Sequence, residues 1–317
     1  MELNQLKRYC GNLSQIAGIK TNLRQDGKAN GTKELSVTTG GGLEFCVNAS
    51  RGLDITQLRF NGHNIGFLAK PGVCAHPTVF HDSAFLGMLT TCGLGTSGNG
   101  SESQPFHGKH GTLPANHLCT RADGENIIIS GTMEEGTLFG TNSAFTREIS
   151  CKTLENTIKI HDTIENNTEN PMPYHLLYHI NFGYPFLDAG LELKLPKHIL
   201  QPRDPAAEAG VFDYATMYPP IDNYPEQVFF LQEAEAKDGV VTVQLINKNL
   251  GIGAEITYED ALLPNLAMWK SLKSGDYALG IEPTNNMIKG HLKEASSFAI
   301  PAFEKVSLSL TLRFFTL

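Results

Sequence analysis

The chain has 317 residues, of which 41% are hydrophobic and 18% charged, and its formal net charge at pH 7 is −8. This composition can build a large core and excludes a globally disordered chain. The sequence shows no basic stripe for nucleic acid, no apolar run of about 18 residues for a membrane span, and no apolar secretion signal at its start. We therefore expect a cytoplasmic protein that binds neither nucleic acid nor membrane.

The first predicted element is a helix near the N-terminus. Its apolar residues recur at spacings of three and four, as one face of an amphipathic helix requires. They are Leu3, Leu6, Cys10, Leu13 and Ile16. After this point almost every segment alternates apolar and polar residues, which is the period of a β-strand with one buried face. The clearest examples are residues 155–164, 241–245 and 306–314.

Turn signals separate these strands at short intervals, as at Asn61-Gly62 and Asp123-Gly124. Many short strands with regular turns predict an all-β fold, a large antiparallel sandwich or barrel, rather than a Rossmann or TIM-barrel layout. Dividing the length by about 150 residues would suggest two domains, but no linker is visible. The Gly- and Ser-rich stretch 93–111 and the Pro-rich stretch 202–225 are instead interpreted as long loops, which in a compact domain are often functional.

The six cysteines do not have the spacing of a metal or redox motif. None forms a Cys-x-x-Cys pair, and neighbouring cysteines are at least 18 residues apart. In a cytosolic chain such cysteines are expected to be small buried apolar residues, with no disulfide and no zinc.

Histidines occur in two suggestive places. His107 lies in the glycine-rich stretch, and His175 and His179 share one face of a predicted strand because they are four residues apart. A single histidine there would more often be a satisfied core residue, so the pair is what suggests a site. The spacing also resembles helical metal motifs, but the segment is β-like and lacks the required Glu, so no metal is predicted.

Glu282 follows an apolar strand and precedes a proline, which places its carboxyl group at the rim of a sheet. Partial burial would raise its pKa towards that of a useful general base, whereas a solvated strand end is the plainer alternative. Trp269 and Lys270 could supply an aromatic wall and a charge, although a lone Trp can also be core. Arg51 precedes Gly52 and Asp54, so a turn closed by an Arg–Asp pair is the alternative to a binding role.

These motifs together resemble the aldose 1-epimerase (galactose mutarotase-like) superfamily, and more closely a bacterial branch of aldose 1-epimerase-like proteins. The matching segments follow one another along nearly the whole chain, and their order makes the resemblance specific. They are ASRGLDI at 49–55, LTTCGL at 89–94, FHGKHGTLPA at 106–115, ENNTENPMPYHLLYHINFGYP at 165–185, PEQVFF at 225–230 and LPNLAMWKSLKSGDYALGIEPTN at 263–285.

The resemblance implies a single β-sandwich domain over residues 1–317 that binds a sugar and needs no cofactor and no metal. It implies that Glu282 is the catalytic base and His179 the catalytic acid. The other positions implied or suggested as substrate-binding are His107, Glu226, Arg51, Lys109, Trp269 and His175. The roles of Arg51 and Trp269 are our own inference from matched segments. A homodimer is left open.

One departure from the family's pattern concerns the sugar. Galactose mutarotases carry an Arg in a GRxANRI-like stretch upstream of the His-Gly motif, whereas here that stretch is LTTCGLGTSG and contains none. Another residue, for which Arg51 is a candidate, must supply the contact, so galactose or glucose is not assured as substrate. Two alternatives remain: a carbohydrate-binding protein without turnover, and a sugar-phosphate mutarotase that uses basic residues at the rim. For the second, the candidate bases are Lys109, Arg51, Arg203 and Lys270.

Overall fold

The structure is a computed structural model that describes residues 3–76, 80–100, 105–286 and 298–317. Within these residues the strands are β1 (Gly18–Leu23), β2 (Lys33–Thr38), β3 (Leu43–Asn48), β4 (Asp54–Phe60), β5 (His63–Asn64), β6 (Leu89–Leu94), β7 (Asn116–Ala122), β8 (Asn126–Gly136), β9 (Asn142–Lys152), β10 (Thr157–Asn166), β11 (Met172–Pro173), β12 (His175–Gly183), β13 (Glu192–Lys194), β14 (Ile199–Pro202), β15 (Gln227–Gln232), β16 (Val240–Asn247), β17 (Ile252–Glu259), β18 (Asn265–Lys273), β19 (Asp276–Thr284), β20 (Ala299–Ile300) and β21 (Lys305–Thr316).

Helices are short in the described part of the chain. The α-helices are α1 (Leu3–Tyr9), α2 (Phe80–Ser83) and α3 (Pro205–Glu208), and the single 3₁₀ turns are Leu13–Gln15, Gly27–Ala29, His110–Thr112 and Val211–Asp213. The predicted N-terminal helix is therefore confirmed only in its first half. A turn at Gly11 interrupts it, and Leu13 belongs to a separate 3₁₀ turn that Asn12 caps through its side chain. No helix among the described residues has the length and apolarity that crossing a bilayer requires.

Three large sheets make up the molecule, and every strand pair within them is antiparallel. Their strand orders are β1-β2-β3-β4-β5, then β13-β16-β17-β21-β10-β9-β8-β7, and β14-β15-β18-β19-β12-β6. The pair β11-β20 forms a further small ribbon. The all-β antiparallel prediction is thus confirmed, and the six-stranded sheet is the one that carries the candidate site.

The alternating pattern explains how the sheets pack. On β10 the side chains of Ile158, Ile160 and Ile164 are buried in a core cluster shared by all three large sheets, whereas Lys159 is exposed. At about 25 cal/mol per Å² of apolar surface removed from water, this shared core is the main stabilising contribution. A single domain over residues 1–317 remains a prediction, which this continuous core supports.

The cysteines are free thiols, and most but not all are buried. Cys10, Cys74, Cys92 and Cys151 are buried as expected. Cys119 is exposed, so the prediction of burial is wrong there. It lies on β7, the edge strand of the eight-stranded sheet, where most side chains face solvent.

Candidate functional site

The candidate site lies on the face of the six-stranded sheet that points away from the main core. On β12, Tyr178 and Ile180 belong to the core cluster, so the alternation of the strand turns His179 to the opposite face. On that face Val228, Phe230 and Ala267 form a small apolar cluster of their own, against which Trp269 packs. One face of the sheet therefore packs against the main core, and the opposite face can receive a ligand.

Strand register brings the two predicted catalytic residues together. Leu177 pairs with Thr284 and Ile180 with Ile281, so the constant register of β12 and β19 places His179 opposite Glu282. The Nε2 atom of His179 lies 3.1 Å from Oε1 of Glu282, and both side chains are almost fully buried. The two atoms are not aligned as a hydrogen bond, so Oε1 has no hydrogen-bond partner among the described residues.

Burial shapes the acid–base behaviour of this pair. Loss of hydration raises the pKa of Glu282 to about 8, an effect that nearby Glu226 reinforces and Arg203 opposes. Burial also lowers the pKa of His179 well below its usual value, and the neighbouring His107 lowers it further. At neutral pH the pair therefore holds a single proton, which lies mainly on the carboxyl group.

A glycine makes room for the pair. Gly280 lies two residues before Glu282 on the same face of β19. A Cβ atom at this position would lie 2.6 Å from Oε1 of Glu282 and 3.0 Å from Cε1 of His179. Real Cβ atoms essentially never come within 3.0 Å of another heavy atom, so a larger residue would displace the carboxyl group.

His107 reaches the same site from the loop after β6. Its backbone has a left-handed φ of 63°, and its Nδ1 lies 2.7 Å from the carbonyl oxygen of Ser97. A carbonyl only accepts, so Nδ1 carries the proton in the neutral ring and Nε2 is left as an acceptor. Burial lowers the pKa of His107 to about 4, and its ring lies 5.6 Å from that of His179. His107 is thus a neutral polar neighbour of the pair.

Aromatic rings form a wall beside the pair. The ring of Trp269 lies 5.5 Å from that of His179, and Phe85 packs against both, at 4.3 Å from His179 and 5.2 Å from Trp269. Sequence reasoning found Trp269 but missed Phe85, which lies in an irregular segment with a positive φ of 48°. No period or motif marks such a residue.

At the rim, Glu226 is already engaged by the protein. Its Oε1 accepts a hydrogen bond of 3.0 Å from Arg203, and its Oε2 accepts one of 3.0 Å from the indole nitrogen of Trp269. Arg203 also donates to Asp204 at 2.8 Å. The structure therefore places Glu226 near the site, as a residue that orients Trp269 and Arg203.

Arg51 is buried next to the site, and its guanidinium group is held by backbone oxygens. It donates to the carbonyl groups of Gly111 at 3.1 Å, Ser83 at 3.0 Å and Cys74 at 3.4 Å. No ion pair joins it to Asp54 within the described part of the chain, because that carboxylate pairs with Arg147 at 2.8 Å. The turn closed by an Arg51–Asp54 pair is therefore not what the structure shows.

Three other predicted residues point elsewhere. Lys109 lies 3.7 Å from a carboxylate oxygen of Glu135 on the eight-stranded sheet. His175 shares the face of His179 but begins β12, and its ring contacts the side-chain amide of Asn286. Lys270 is fully buried and donates to the carbonyl oxygen of Asp213 at 3.0 Å.

No group of three or more His, Cys, Asp or Glu side chains is arranged to hold a metal ion in residues 3–76, 80–100, 105–286 and 298–317. The four candidate bases for a phosphate also do not converge there. Each is held by a different partner, and Arg203, the one beside Glu282 and His179, is balanced by two carboxylates.

Comparison with known proteins identifies the fold. A family model described as "Domain of unknown function (DUF4432)" matches residues 29–313. No curated protein sequence matches the chain. Among solved structures, a Klebsiella pneumoniae protein described as a "putative aldose 1-epimerase" is 23% identical, with a TM-score of 0.84 over 94% of this chain and 83% of that one.

More distant structures share the same architecture. A galactose mutarotase-like protein from Clostridium acetobutylicum is 13% identical, with a TM-score of 0.68 over 96% of this chain and 100% of that one. A galactose 1-epimerase from Lactobacillus acidophilus is 12% identical, with a TM-score of 0.63 over 94% of this chain and 99% of that one. The predicted galactose mutarotase-like β-sandwich is therefore confirmed.

Proposed function

We propose that this chain, which belongs to the DUF4432 family, is an aldose 1-epimerase-like isomerase that interconverts the α and β anomers of a free aldose. The observation that carries the proposal is the buried Glu282–His179 pair, with 3.1 Å between its nearest atoms and an aromatic wall beside it. Such a pair offers one acid and one base within reach of the same small molecule.

The chemistry balances with these two groups alone. The base, Glu282, takes the proton from the anomeric hydroxyl while the acid, His179, protonates the ring oxygen. The bond between C1 and O5 then breaks and leaves an open-chain aldehyde. Rotation about C1–C2 presents the other face of the aldehyde, and the two groups exchange roles as the ring closes. The reaction consumes no cofactor and returns both protons.

The protonation state of the pair suits this cycle. Mutarotation requires that the pair hold one proton in total, and burial gives it one proton at neutral pH because the pKa of Glu282 is about 8 while that of His179 is well below 6.5. The proton must move from Glu282 to His179 before Glu282 can act as the base, and the 3.1 Å separation of the two groups allows this shift. Ring opening can therefore begin from one arrangement and end in the other.

The surroundings of the pair fit a sugar. Trp269 and Phe85 present ring surfaces that can cover the apolar face of a pyranose, and Glu226 fixes the indole through its nitrogen. His107 offers a neutral acceptor for a hydroxyl proton. We assign Trp269 and His107 to substrate binding, with Arg51 beside them. Lys109 and His175 do not join this group in the structure, so their predicted binding roles have no support from its geometry.

Polarimetry on freshly dissolved single anomers tests the proposal. The wild-type chain should speed the approach to equilibrium for at least one aldose of a broad panel, and His179→Gln should lose most of that acceleration. Trp269 is the only tryptophan, so its fluorescence reports binding separately. Saturable quenching without any acceleration would instead support a carbohydrate-binding protein and contradict the proposed enzyme.

A further inference from the structure

Asn181 lies beside His179 on the face of the six-stranded sheet that holds the proposed catalytic pair. The two residues are two positions apart on β12, so both side chains lie on the face opposite to that of Tyr178 and Ile180. Asn181 pairs across the sheet with Gly280. Its side chain is completely buried, so the polar atoms of its amide need partners within the protein or the site.

Hydrogen bonds to two carbonyl groups fix the orientation of the Asn181 amide. Its Nδ2 donates to the carbonyl oxygen of Gly87 at 3.2 Å and to that of His179 at 3.1 Å. A carbonyl oxygen only accepts, so the nitrogen of the amide, and not its oxygen, must face these two groups. Oδ1 is thereby turned away from them, and it is a buried acceptor with no hydrogen-bond partner among the described residues.

His179 has a buried ring nitrogen that also lacks a partner. Its Nε2 lies 3.1 Å from Oε1 of Glu282, whereas its Nδ1 has no hydrogen-bond partner in the described ranges. At neutral pH the carboxyl group holds the proton of the pair, because burial raises the pKa of Glu282 to about 8. Nε2 is then the acceptor that faces this carboxyl group, and the proton of the neutral ring lies on Nδ1. Nδ1 is therefore a buried donor without an acceptor.

The two unpartnered atoms are complementary. Leaving either one unpaired is unfavourable, and a single hydrogen bond between them satisfies both. The amide of Asn181 already contacts His179 through its backbone carbonyl group. Burial and His107 lower the pKa of His179, whereas the side chain of Asn181 raises it, as an acceptor at the ring does. Nδ1 and Oδ1 are not aligned as a hydrogen bond, but contacts within a catalytic site are often loosely aligned until the substrate binds.

We propose that Asn181 is a positioning residue whose Oδ1 accepts a hydrogen bond from Nδ1 of His179 and keeps the proton of the neutral ring on that nitrogen. The inference rests on the proposed function and goes beyond it, because it adds a residue that the mechanism above does not use. With Nδ1 already protonated, a proton that leaves Glu282 can only reach Nε2, which lies beside the carboxyl group. Oδ1 of Asn181 then also stabilises the imidazolium form, because its hydrogen bond now comes from a charged donor.

Asn181→Leu removes the acceptor with little change in volume. The imidazolium form of His179 then loses a hydrogen bond, and kcat for anomer exchange should fall by about 10- to 150-fold. KM should change little, because Asn181 contacts His179 and not the sugar. The tautomer of the neutral ring should also shift. A proton on Nε2 can donate to Oε1 of Glu282, whereas a proton on Nδ1 would have no acceptor.

Nitrogen chemical shifts measured by NMR show which ring nitrogen carries the proton, and this measurement needs no sugar. The signals of His179 are identified by their absence in His179→Gln. At neutral pH the proton should lie on Nδ1 in the wild-type chain, and at least partly on Nε2 in Asn181→Leu. A proton on Nε2 in the wild type, or an identical tautomer in the wild type and Asn181→Leu, contradicts the proposal.

Two further variants separate positioning from a merely structural role. Asn181→Asp keeps an acceptor oxygen, so Nδ1 should stay protonated and exchange should be faster than in Asn181→Leu. If Asn181→Leu does not fold, Asn181→Asp and the wild-type tautomer decide the question. Asn247→Leu is the matched control, because Asn247 is another buried amide whose Nδ2 donates to two carbonyl groups, those of Pro185 at 3.3 Å and Phe186 at 2.9 Å. It should lower the Tm but keep the wild-type kcat and tautomer.

The outcomes separate the two proposals. Anomer exchange by a wild-type chain whose His179 carries its ring proton on Nε2 contradicts the role of Asn181 while the isomerase proposal stands. Exchange of no sugar contradicts the isomerase, and the tautomers of the wild type and Asn181→Leu still decide whether Asn181 holds the ring.

Discussion

Substituting Gly280 with alanine is a sharp perturbation of the candidate site. The added Cβ would lie 2.6 Å from Oε1 of Glu282, about 0.8 Å closer than the 3.4 Å at which ordinary contact begins. It would also lie 3.0 Å from Cε1 of His179 and 3.1 Å from Cβ of Trp269. The carboxyl group is the freest of the three, so we expect it to move by most of an ångström.

The expected cost falls on activity rather than on stability. Misplacing a catalytic group by about 1 Å can reduce a rate by about 10²-fold, so kcat/KM should fall by that order. Overpacking a core costs about 1–3 kcal/mol, and replacing a strand glycine recovers about 0.5–1 kcal/mol through lower chain entropy. The net loss of unfolding free energy should thus stay below about 3 kcal/mol, and the chain should remain folded.

Gly136→Ala is the matched control, because a Cβ on this strand glycine has no neighbour closer than 3.8 Å. Anomer exchange and thermal unfolding are measured on both variants. Gly280→Ala should be folded and slow, and Gly136→Ala should match the wild type. Equal exchange rates in Gly280→Ala and wild type would refute the claim that the position of Glu282 limits the reaction.

Four further predictions follow from charge and burial. Exchange should fall about tenfold per pH unit above about pH 8, where the Glu282–His179 pair loses its last proton, and a rate that keeps rising there would contradict this. The folded pKa of Glu282 is raised, so its contribution to stability is present at acid pH and is lost as pH rises from about 4.5 to 8. Glu282→Gln should therefore raise the Tm relative to wild type above pH 8, and not at pH 4. Arg147→Met leaves two buried aspartates without their ion-pair partner and should lower the free energy of unfolding in urea by about 3–5 kcal/mol. Arg121→Met removes an exposed ion pair and should lower it by less than about 1 kcal/mol. Sugar should quench Trp269 fluorescence in Glu282→Gln as well as in wild type, because binding does not need the ionised carboxylate, and a loss of quenching would show that it does.

Local periodicity was enough to predict the all-β antiparallel class, and the family resemblance then favoured a sandwich over a barrel. Alternation on β10, β16 and β21 marks a buried face directly, and the turn dipeptides mark where each strand ends. The N-terminal helix was predicted too long because its spacing of three and four continues through Leu13. The helix ends at Tyr9, and Asn12 caps the start of a separate 3₁₀ turn. Burial of Cys119 was wrong because residue type does not tell an edge strand from a central one.

The two residues of the proposed catalytic pair carry local signals, and the family resemblance is what suggested their catalytic roles. His179 lies on a strand whose period fixes its face, and Glu282 follows an apolar run before a proline. The predicted position at the rim of a sheet is wrong, because β19 continues through Thr284 between two neighbouring strands and Glu282 is buried. The contacts that organise the pair are not local. The contacts of Phe85, Gly280 and Glu226 depend on where the loops fold back onto the sheet. A single sequence does not reveal the path of these loops. Lys109 lies beside His107 in the chain yet turns to Glu135, because neighbouring residues in a loop need not share a direction.

The central claim is that Glu282 carries proton transfer at the anomeric centre. Exchange-transfer NMR measures the interconversion rate of α and β anomers at equilibrium, for wild type, Glu282→Gln and the exposed control Glu259→Gln. The account predicts that Glu282→Gln exchanges the active sugar about 10²- to 10⁴-fold more slowly, while Glu259→Gln matches wild type. Exchange in Glu282→Gln at the wild-type rate would contradict it.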